Sequence, residues 1–234
     1  MGVLIFGVFM NFEKFKSLGE SERHEYIKNS FPANPQSLSQ RRPLYGVAIN
    51  DAEYMSSPNI GGNMVRDPCY SAWKSLIVRC NSEKYQSKRE SYIGCTVSGE
   101  WLRFSMFQKW WEDNQVDGWH VDKDVINYGN KNYGPNQCVF VPPMVNNFVL
   151  DSAAARGQWP IGVSWDSRRN AFSSNCRNPI SGKLEFLGCF PSAEEAHEKW
   201  RVRKMQLIPI LCEKFPEMDS RVEAALINRY EKNR

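Results

Sequence analysis

The sequence lacks the features that mark several classes of protein. Its seven cysteines include no pair separated by two residues, and only three histidines accompany them. A thiolate-rich zinc site needs ligands paired at short spacing, so we expect reduced, mostly buried cysteines instead. The apolar segment 1–10 is too short to cross a bilayer, and it has neither the basic start nor the cleavage site of a signal peptide. These absences predict a cytoplasmic protein with no membrane partner.

The chain also has no internal repeat, no low-complexity tract and only a weak charge imbalance. Its 234 residues are 41% hydrophobic and 24% charged, which is typical of a globular protein with one or two domains. The net charge of +4 permits an anionic partner without requiring one. Aromatic residues are abundant, at 13% with eight tryptophans, and such side chains build cores or stack on bases.

The first third of the chain has helical and irregular segments. Asn11 is placed to cap a helix that runs to about Asn29, and prolines follow it. The segment Ser56–Met64, rich in glycine, asparagine and serine, is typical of a linker. We therefore assign residues 1–66 to an N-terminal helical and linker region.

The following segment is helical and aromatic. Asp67-Pro68 favours a helix start, because proline suits the first turn and an acidic residue suits the positive end of the helix dipole. Residue spacing then predicts a helix over residues 70–80, a short strand over Tyr92–Val97 and a helix from about Glu100 to Asp113. Aromatic side chains three and four residues apart give that last helix a wide stripe for the core.

Residues 118–147 combine strand, loop and helix patterns. We predict a strand over Trp119–Ile126, a polar loop over Asn127–Asn136, a strand over Cys138–Val141 and a helix opened by Pro142-Pro143. This order brings the end of the first strand against the helix. Hard oxygen ligands from both places suit one Mg²⁺ or Mn²⁺, and such a metal stabilises charge on a phosphate during displacement.

Candidate ligands and bases lie at the end of that first strand. Asp122 and Asp124 share a strand face with His120, whereas Lys123 points the other way. A general base must take a proton from the attacking water, and His120 is the candidate for that role. The alternative is a histidine that packs beside Trp119.

These residues carry a resemblance to a known nuclease family. The segment resembles the His-Asn-His endonuclease finger of phages and introns in the runs Trp119-His-Val-Asp-Lys-Asp and Asn130-Lys-Asn-Tyr-Gly-Pro-Asn-Gln-Cys-Val-Phe-Val-Pro, and in the pair Asn146-Asn147. An upstream leader resembles the one that accompanies this finger in phage proteins: Tyr70, Trp73, Arg79-Cys80, Tyr92, Gly94, Trp101, Phe104 and Phe107. The resemblance covers roughly residues 68–150.

The resemblance implies a role for each matching position. Asp122 would be the first metal ligand, Asn146 or Asn147 the helical ligand, and Asn136 the residue that braces the loop. Lys123 occupies the position of the family's catalytic histidine, and a lysine is a poor base at pH 7 unless desolvation lowers its pKa. Three alternatives remain open: His120 takes over, the metal alone activates water, or cleavage is weak or absent.

The last third of the chain has a pattern of short strands instead of mainly helical segments. Three short strands separated by turn residues are predicted over Ile161–Trp165, Ala171–Arg177 and Leu184–Phe190. A capping box at Ser192–Glu195 starts a helix that reaches about Ile208, and a second box at Ser220–Glu223 starts a terminal helix. Three strands followed by one helix make a compact module.

This module is similar to the APETALA2-type DNA-binding domain, which also occurs attached to phage His-Asn-His nucleases. The similarity lies in Gly162-Val-Ser-Trp165, Leu187-Gly-Cys-Phe190 and Glu194-Glu-Ala196. In that family the sheet enters the major groove, and arginine and tryptophan side chains reach bases and phosphates. The similarity implies a DNA-binding set of Trp165, Arg168, Arg169, Arg177 and Lys183, although such a basic strip is also compatible with a solvated surface.

The sequence thus predicts an α+β protein. A ββα-metal nuclease finger with flanking helices occupies residues 67–152, a three-stranded antiparallel sheet plus helix occupies 153–212, and a C-terminal helix occupies 213–234. The predicted function is that of a phage-encoded, homing-like, metal-dependent endonuclease that cuts duplex DNA in the cytoplasm of a bacterial host. The alternatives are a DNA-binding regulator with a decayed finger and, less favoured, a nuclease fold that only scaffolds protein contacts.

Overall fold

The computed structural model describes residues 10–151 and 157–231, and these form a mixed α and β fold. The described residues up to Lys123, together with Gly129–Cys138, make one compact unit, and Asp124–Tyr128 with the described residues from Val139 onward make a second. Most of the apolar start and residues 152–156 lie outside the described residues. Within the described ranges, no helix combines the length and apolar character needed to cross a bilayer.

The first unit contains six helices and five short strands within its described residues. The helices are α1 (Phe12–Ser17), α2 (Glu20–Ser30), α3 (Pro35–Ser39), α4 (Pro68–Asn81), α5 (Glu83–Gln86) and α6 (Phe104–Asn114). The strands are β1 (Asn59–Ile60), β2 (Asn63–Met64), β3 (Thr96–Val97), β4 (His120–Asp122) and β5 (Asn132–Tyr133). Two 3-10 turns, Glu90–Tyr92 and Glu100–Leu102, precede β3 and α6.

In the N-terminal region the predicted helix cap is confirmed, but the predicted length of the helix and the predicted linker are wrong. The Asn11 side chain accepts a hydrogen bond from the Lys14 backbone N–H at 2.8 Å, as predicted for a cap. The single helix predicted to Asn29 is two helices, because the chain turns extended at Leu18 and Gly19 before α2 begins. The segment predicted as a linker forms the antiparallel β1–β2 hairpin instead.

The aromatic core of the first unit confirms the predicted helical stripe. Trp73 on α4 is fully buried with Trp101, Phe104 and Phe107. The Trp73 indole N–H donates to the Trp101 carbonyl at 2.6 Å, so the one polar atom of that side chain is satisfied inside the core. The predicted strand at Tyr92–Val97 is only the two residues of β3, because the 3-10 turn occupies its start.

A buried polar network joins α2, α4 and α6 in the first unit. Both ring nitrogens of His24 are hydrogen-bonded. Nδ1 lies 2.8 Å from the Asp67 carboxylate, and Nε2 lies 2.9 Å from the Glu112 carboxylate. Asp67 also caps α4 by accepting from the Cys69 N–H, and it accepts from the Tyr54 hydroxyl. Burial alone would lower the pKa of His24, but the two carboxylates outweigh it and raise that pKa.

The predicted finger segment is divided between the two units. The first predicted strand shrinks to the three residues of β4, and the predicted loop contains β5, which pairs in parallel with β3 in the first unit. The second predicted strand is β6 (Val139–Val141), and the helix opened by the prolines is α7 (Pro143–Val149); both belong to the second unit. The elements are present in the predicted order, and a ββα finger stays a prediction.

The second unit contains the predicted three-stranded antiparallel sheet. Its strands β7 (Val163–Asp166), β8 (Ala171–Arg177) and β9 (Leu184–Phe190) pair in the order β7-β8-β9. Helix α8 (Ala193–Glu213) packs on one sheet face, and α9 (Arg221–Tyr230) follows. Gly162 has φ +83°, and an added Cβ there would overlap the Trp200 indole of α8, so only glycine suits this close approach.

The two predicted capping boxes differ in outcome. The Ser192 hydroxyl accepts from the Glu195 N–H at 3.1 Å, so the first helix starts where predicted. That helix continues through Pro209 to Glu213, beyond the predicted end at Ile208. The second box is wrong, because the Ser220 side chain makes no capping bond and the Asp219 carboxylate accepts from the Arg221 N–H instead.

Candidate nucleic-acid interface and metal-binding segment

Strand alternation gives the sheet of the second unit two different faces. Val163 lies on the face that packs against Ala193 and Ala196 of α8. The neighbouring strand residues point to the opposite face, which we call the open face. The open face carries the strand residues Ser164, Ser173, Asn175, Arg177, Leu184 and Phe186.

Four of the predicted DNA-binding residues are cations at this face and its turns. Arg168 and Lys183 are exposed, and neither side chain has a hydrogen bond or ion pair with the described part of the chain. Arg169 is held by Asp166, with Nη1 2.6 Å from the carboxylate, and its guanidinium lies 5.8 Å from the centre of the Phe186 ring. Arg177 Nη1 donates to the Gly182 carbonyl at 2.9 Å.

The carboxylates of the sheet are neutralised by arginines. The hydrogen bond from Arg169 lowers the pKa of Asp166 below its usual value. On the other face, Arg203 of α8 bonds Glu185 at 2.7 Å, and this contact with a further bond from Asn178 lowers the pKa of Glu185 to about 2. Both acids therefore stay ionised and paired, and Arg168, Arg177 and Lys183 leave the open face with an excess of positive charge.

The structure does not place Trp165 on the open face. Its register pairs it with Phe172 on the side of Val163, and the two aromatic rings lie 4.9 Å apart between centroids. The indole is still 44% exposed. Sequence reasoning missed two apolar residues that do belong to the open face, Leu184 and Phe186, which are 61% and 59% exposed. The alternation along β9 was the signal that could have identified them.

The residues predicted for catalysis in the first unit differ in their surroundings. His120 starts β4 with an exposed imidazole that makes no hydrogen bond with the described residues. Asp122 ends the same strand and is partly buried. The two residues are separated by one position, so both side chains point to the same side of the strand, as predicted.

Lys123 is buried and its hydrogen bonds hold the loop that follows β4. It is only 5% exposed, its Nζ donates to the Asn130 carbonyl at 2.6 Å, and the ammonium lies 5.6 Å from the centre of the Tyr133 ring. The Asn130 amide returns a bond to the Lys123 carbonyl at 3.2 Å and donates to the Asn132 carbonyl at 2.8 Å. Asn130 was not predicted, and the bracing role predicted for Asn136, which is exposed, stays a prediction.

The predicted helical ligands lie in the second unit. Asn146 is partly buried and Asn147 is exposed, and both are on α7. Asp124 also belongs to the second unit, whereas Asp122 belongs to the first. Carboxylate and carboxamide oxygens are the donors that Mg²⁺ or Mn²⁺ prefers, so the chemistry of the donor set fits the implied metal. The pairing of Asp122 with either asparagine stays a prediction.

Another group of potential ligands joins buried His24 to two exposed carboxylates beside the buried polar network. Ligand atoms of His24, Glu25 and Glu112 lie within 4.8 Å of one another. The Lys28 ammonium is 2.8 Å from Glu112 and 3.6 Å from Glu25, so it already supplies positive charge to both carboxylates. Both His24 nitrogens are also engaged. These contacts make the group an ion-pair network in which a metal would have to displace Lys28.

Comparisons with known proteins returned no match for this chain, whether made with family models, with curated proteins or with solved structures. The functional assignment therefore depends on the residues and contacts described above.

Proposed function

We propose that this protein binds duplex DNA through the open face. The observation that carries the proposal is the composition of that face among the described residues: Arg168 in the β7–β8 turn and Lys183 in the β8–β9 turn are unpaired, Arg177 ends β8, and the strands carry no unpaired carboxylate. Arginine and lysine side chains that neutralise phosphates release condensed counterions, which supplies most of the affinity for DNA. A cationic sheet of this kind fits a duplex backbone.

The apolar residues of the open face add a second kind of contact. Leu184 and Phe186 expose more than half of their side chains beside these cations. Exposed apolar side chains of this kind are suited to contact with the thymine methyl groups in the major groove. The cations would thus position the protein on the backbone, and the apolar pair would give limited sequence choice.

Removing the two unpaired cations tests this proposal. The double variant Arg168→Ala, Lys183→Ala should weaken duplex DNA binding and flatten its dependence on salt. Each phosphate contact contributes a log–log slope of about −0.9, so the loss should be roughly one to two units. Fluorescence anisotropy at several KCl concentrations gives the slope for the full-length chain.

Lys199→Ala is the matched control, because Lys199 is an exposed lysine on α8, which packs on the other face of the sheet. It should leave the slope within about half a unit of the wild-type value. Equal slopes for the double variant and the wild type would remove the open face from the DNA interface.

A second candidate function, Mg²⁺-dependent cleavage of that DNA, is favoured by the organisation around β4. The reciprocal bonds between Lys123 and Asn130 fix the loop that follows Asp122, and His120 is left exposed on the same side as Asp122. Asp122 would be a ligand of the metal, which when bound stabilises charge on the phosphate. This function corresponds to a homing-like, phage-encoded endonuclease; a DNA-binding regulator without cleavage is the alternative.

His120 is the group that would take the proton from water in this proposal. Lys123 is unsuited to that role, because its ammonium is buried and bonded to the Asn130 carbonyl. His120→Ala should therefore slow nicking of supercoiled plasmid by about 100-fold or more, the usual scale for a general base. Added imidazole should restore part of the rate. Equal rates for variant and wild type would exclude His120 as the general base.

A further inference from the structure

A cavity of about 360 Å³ lies in the second unit, at the end of β8 that is near α7 and α8. Its apolar lining comes from Met144, Phe148 and Pro179. Its polar lining includes Asn147, Arg177 and Lys204, and it contains no aspartate or glutamate. Small-molecule sites in proteins have this size and this mixture of an apolar wall with a few polar groups.

Lys204 is a buried cation without an anionic partner among the described residues. It is 7% exposed, its Nζ donates to the Phe148 carbonyl at 2.6 Å, and the ammonium lies 3.8 Å from the centre of the Phe148 ring. The nearby ionisable groups are the cation Arg229 and the thiol of Cys176, whose own pKa is raised by burial, so that the thiol stays neutral at neutral pH. A lysine has three donors, so this one keeps two for other acceptors. Buried lysines are rare unless they are paired with an anion.

The charge of Lys204 persists at neutral pH. Burial, helped by repulsion from Arg229, lowers the pKa of this amine to about 8, which still leaves it mostly protonated at pH 7. Arg177 adds a second cation to the same cavity, and only one of its five donors is engaged, at the Gly182 carbonyl. Two cations and an apolar wall in one cavity are complementary to a small organic anion.

We propose that this cavity binds a small carboxylate with an apolar body, with its carboxylate between Arg177 and Lys204 and its body against Met144, Phe148 and Pro179. A carboxylate matches the planar, bidentate geometry of the arginine side chain. The site shares Arg177 with the open face, whereas its other cation, Lys204, lies on α8 at the other face of the sheet.

Isothermal titration calorimetry of the full-length protein with phenylacetate tests the proposal, and phenylacetamide serves as the neutral analogue. Phenylacetate should bind with a dissociation constant on the order of 1 mM or tighter, as expected for about ten heavy atoms in a modest site. Phenylacetamide should bind at least about tenfold more weakly, since it lacks the charge.

Two variants locate the site. Lys204→Met keeps the length and apolar contacts of the side chain, and the Phe148 carbonyl retains the Tyr230 hydroxyl at 3.2 Å, so the variant should fold and should lose phenylacetate binding. Arg177→Gln, at an exposed position, should weaken binding several-fold, and Lys199→Ala should not change it. The proposal is overturned if phenylacetate fails to bind, if the amide binds equally well, or if Lys204→Met binds like the wild type.

Discussion

Asp122→Ala should abolish Mg²⁺-dependent cleavage of supercoiled plasmid while leaving affinity for duplex DNA within a few-fold. Asp122 is the carboxylate at the end of β4, next to the braced Lys123. Loss of several kcal/mol of transition-state stabilisation corresponds to a rate decrease of about three orders of magnitude. The open face lies in the second unit and does not include Asp122, so DNA binding should persist.

The cleavage assay is paired with a metal-binding measurement. Calorimetric titration with Mn²⁺ should detect a site in the wild type that Asp122→Ala lacks. Asp113→Ala, which removes an exposed carboxylate near the end of α6, should match the wild type in both assays. If the wild type binds DNA but neither cuts it nor binds Mn²⁺, the regulator alternative is the correct function.

Asp67→Ala should lower the free energy of unfolding of the first unit by about 3–5 kcal/mol. The substitution leaves buried His24 without one of its two carboxylate partners and the Tyr54 hydroxyl without its acceptor. It also removes the cap that Asp67 provides to the Cys69 N–H at the start of α4. Urea unfolding followed by tryptophan fluorescence measures the loss.

Asn11→Ala serves as the control for Asp67→Ala, because it removes a helix cap without disturbing a buried charged group. Asn11 caps α1 at an exposed position, so its loss should cost only about 1 kcal/mol.

His24 adds a pH dependence to the stability of the first unit. Its pKa is raised on folding, so its contribution to the free energy of unfolding is complete below about pH 6.5 and declines as the pH rises through the folded pKa. This decline should be weaker in Asp67→Ala. A loss of only 1 kcal/mol in that variant would show that the buried network contributes little.

The sheet of the second unit was predictable from the sequence because its signals are local. Turn residues separate three runs of alternating pattern, and the observed β8 and β9 match the predicted Ala171–Arg177 and Leu184–Phe190. The caps at Asn11 and Ser192 were equally predictable, because a side chain that bonds the backbone three residues on needs no tertiary information.

Features that depend on distant contacts could not be predicted in this way. The burial of Lys123 results from the Asn130 carbonyl and the Tyr133 ring, which the loop brings to it. The pairing of β3 with β5 joins residues far apart in sequence. The polar composition of the segment that contains β5 therefore predicted a loop where the structure has a strand. The face on which Trp165 lies is set by the pairing of its strand with Phe172, and the similarity that named Trp165 contained no information on that register.

The fit of Gly162 under the Trp200 indole has an evolutionary consequence. A side chain at position 162 would collide with the indole and would also need a left-handed backbone, so no single change removes both constraints. Descendants of this chain that keep an indole at 200 should therefore keep glycine at 162. Lineages that lose the indole are relieved of the collision only, because a residue at position 162 still needs a left-handed backbone, which asparagine and aspartate tolerate best after glycine.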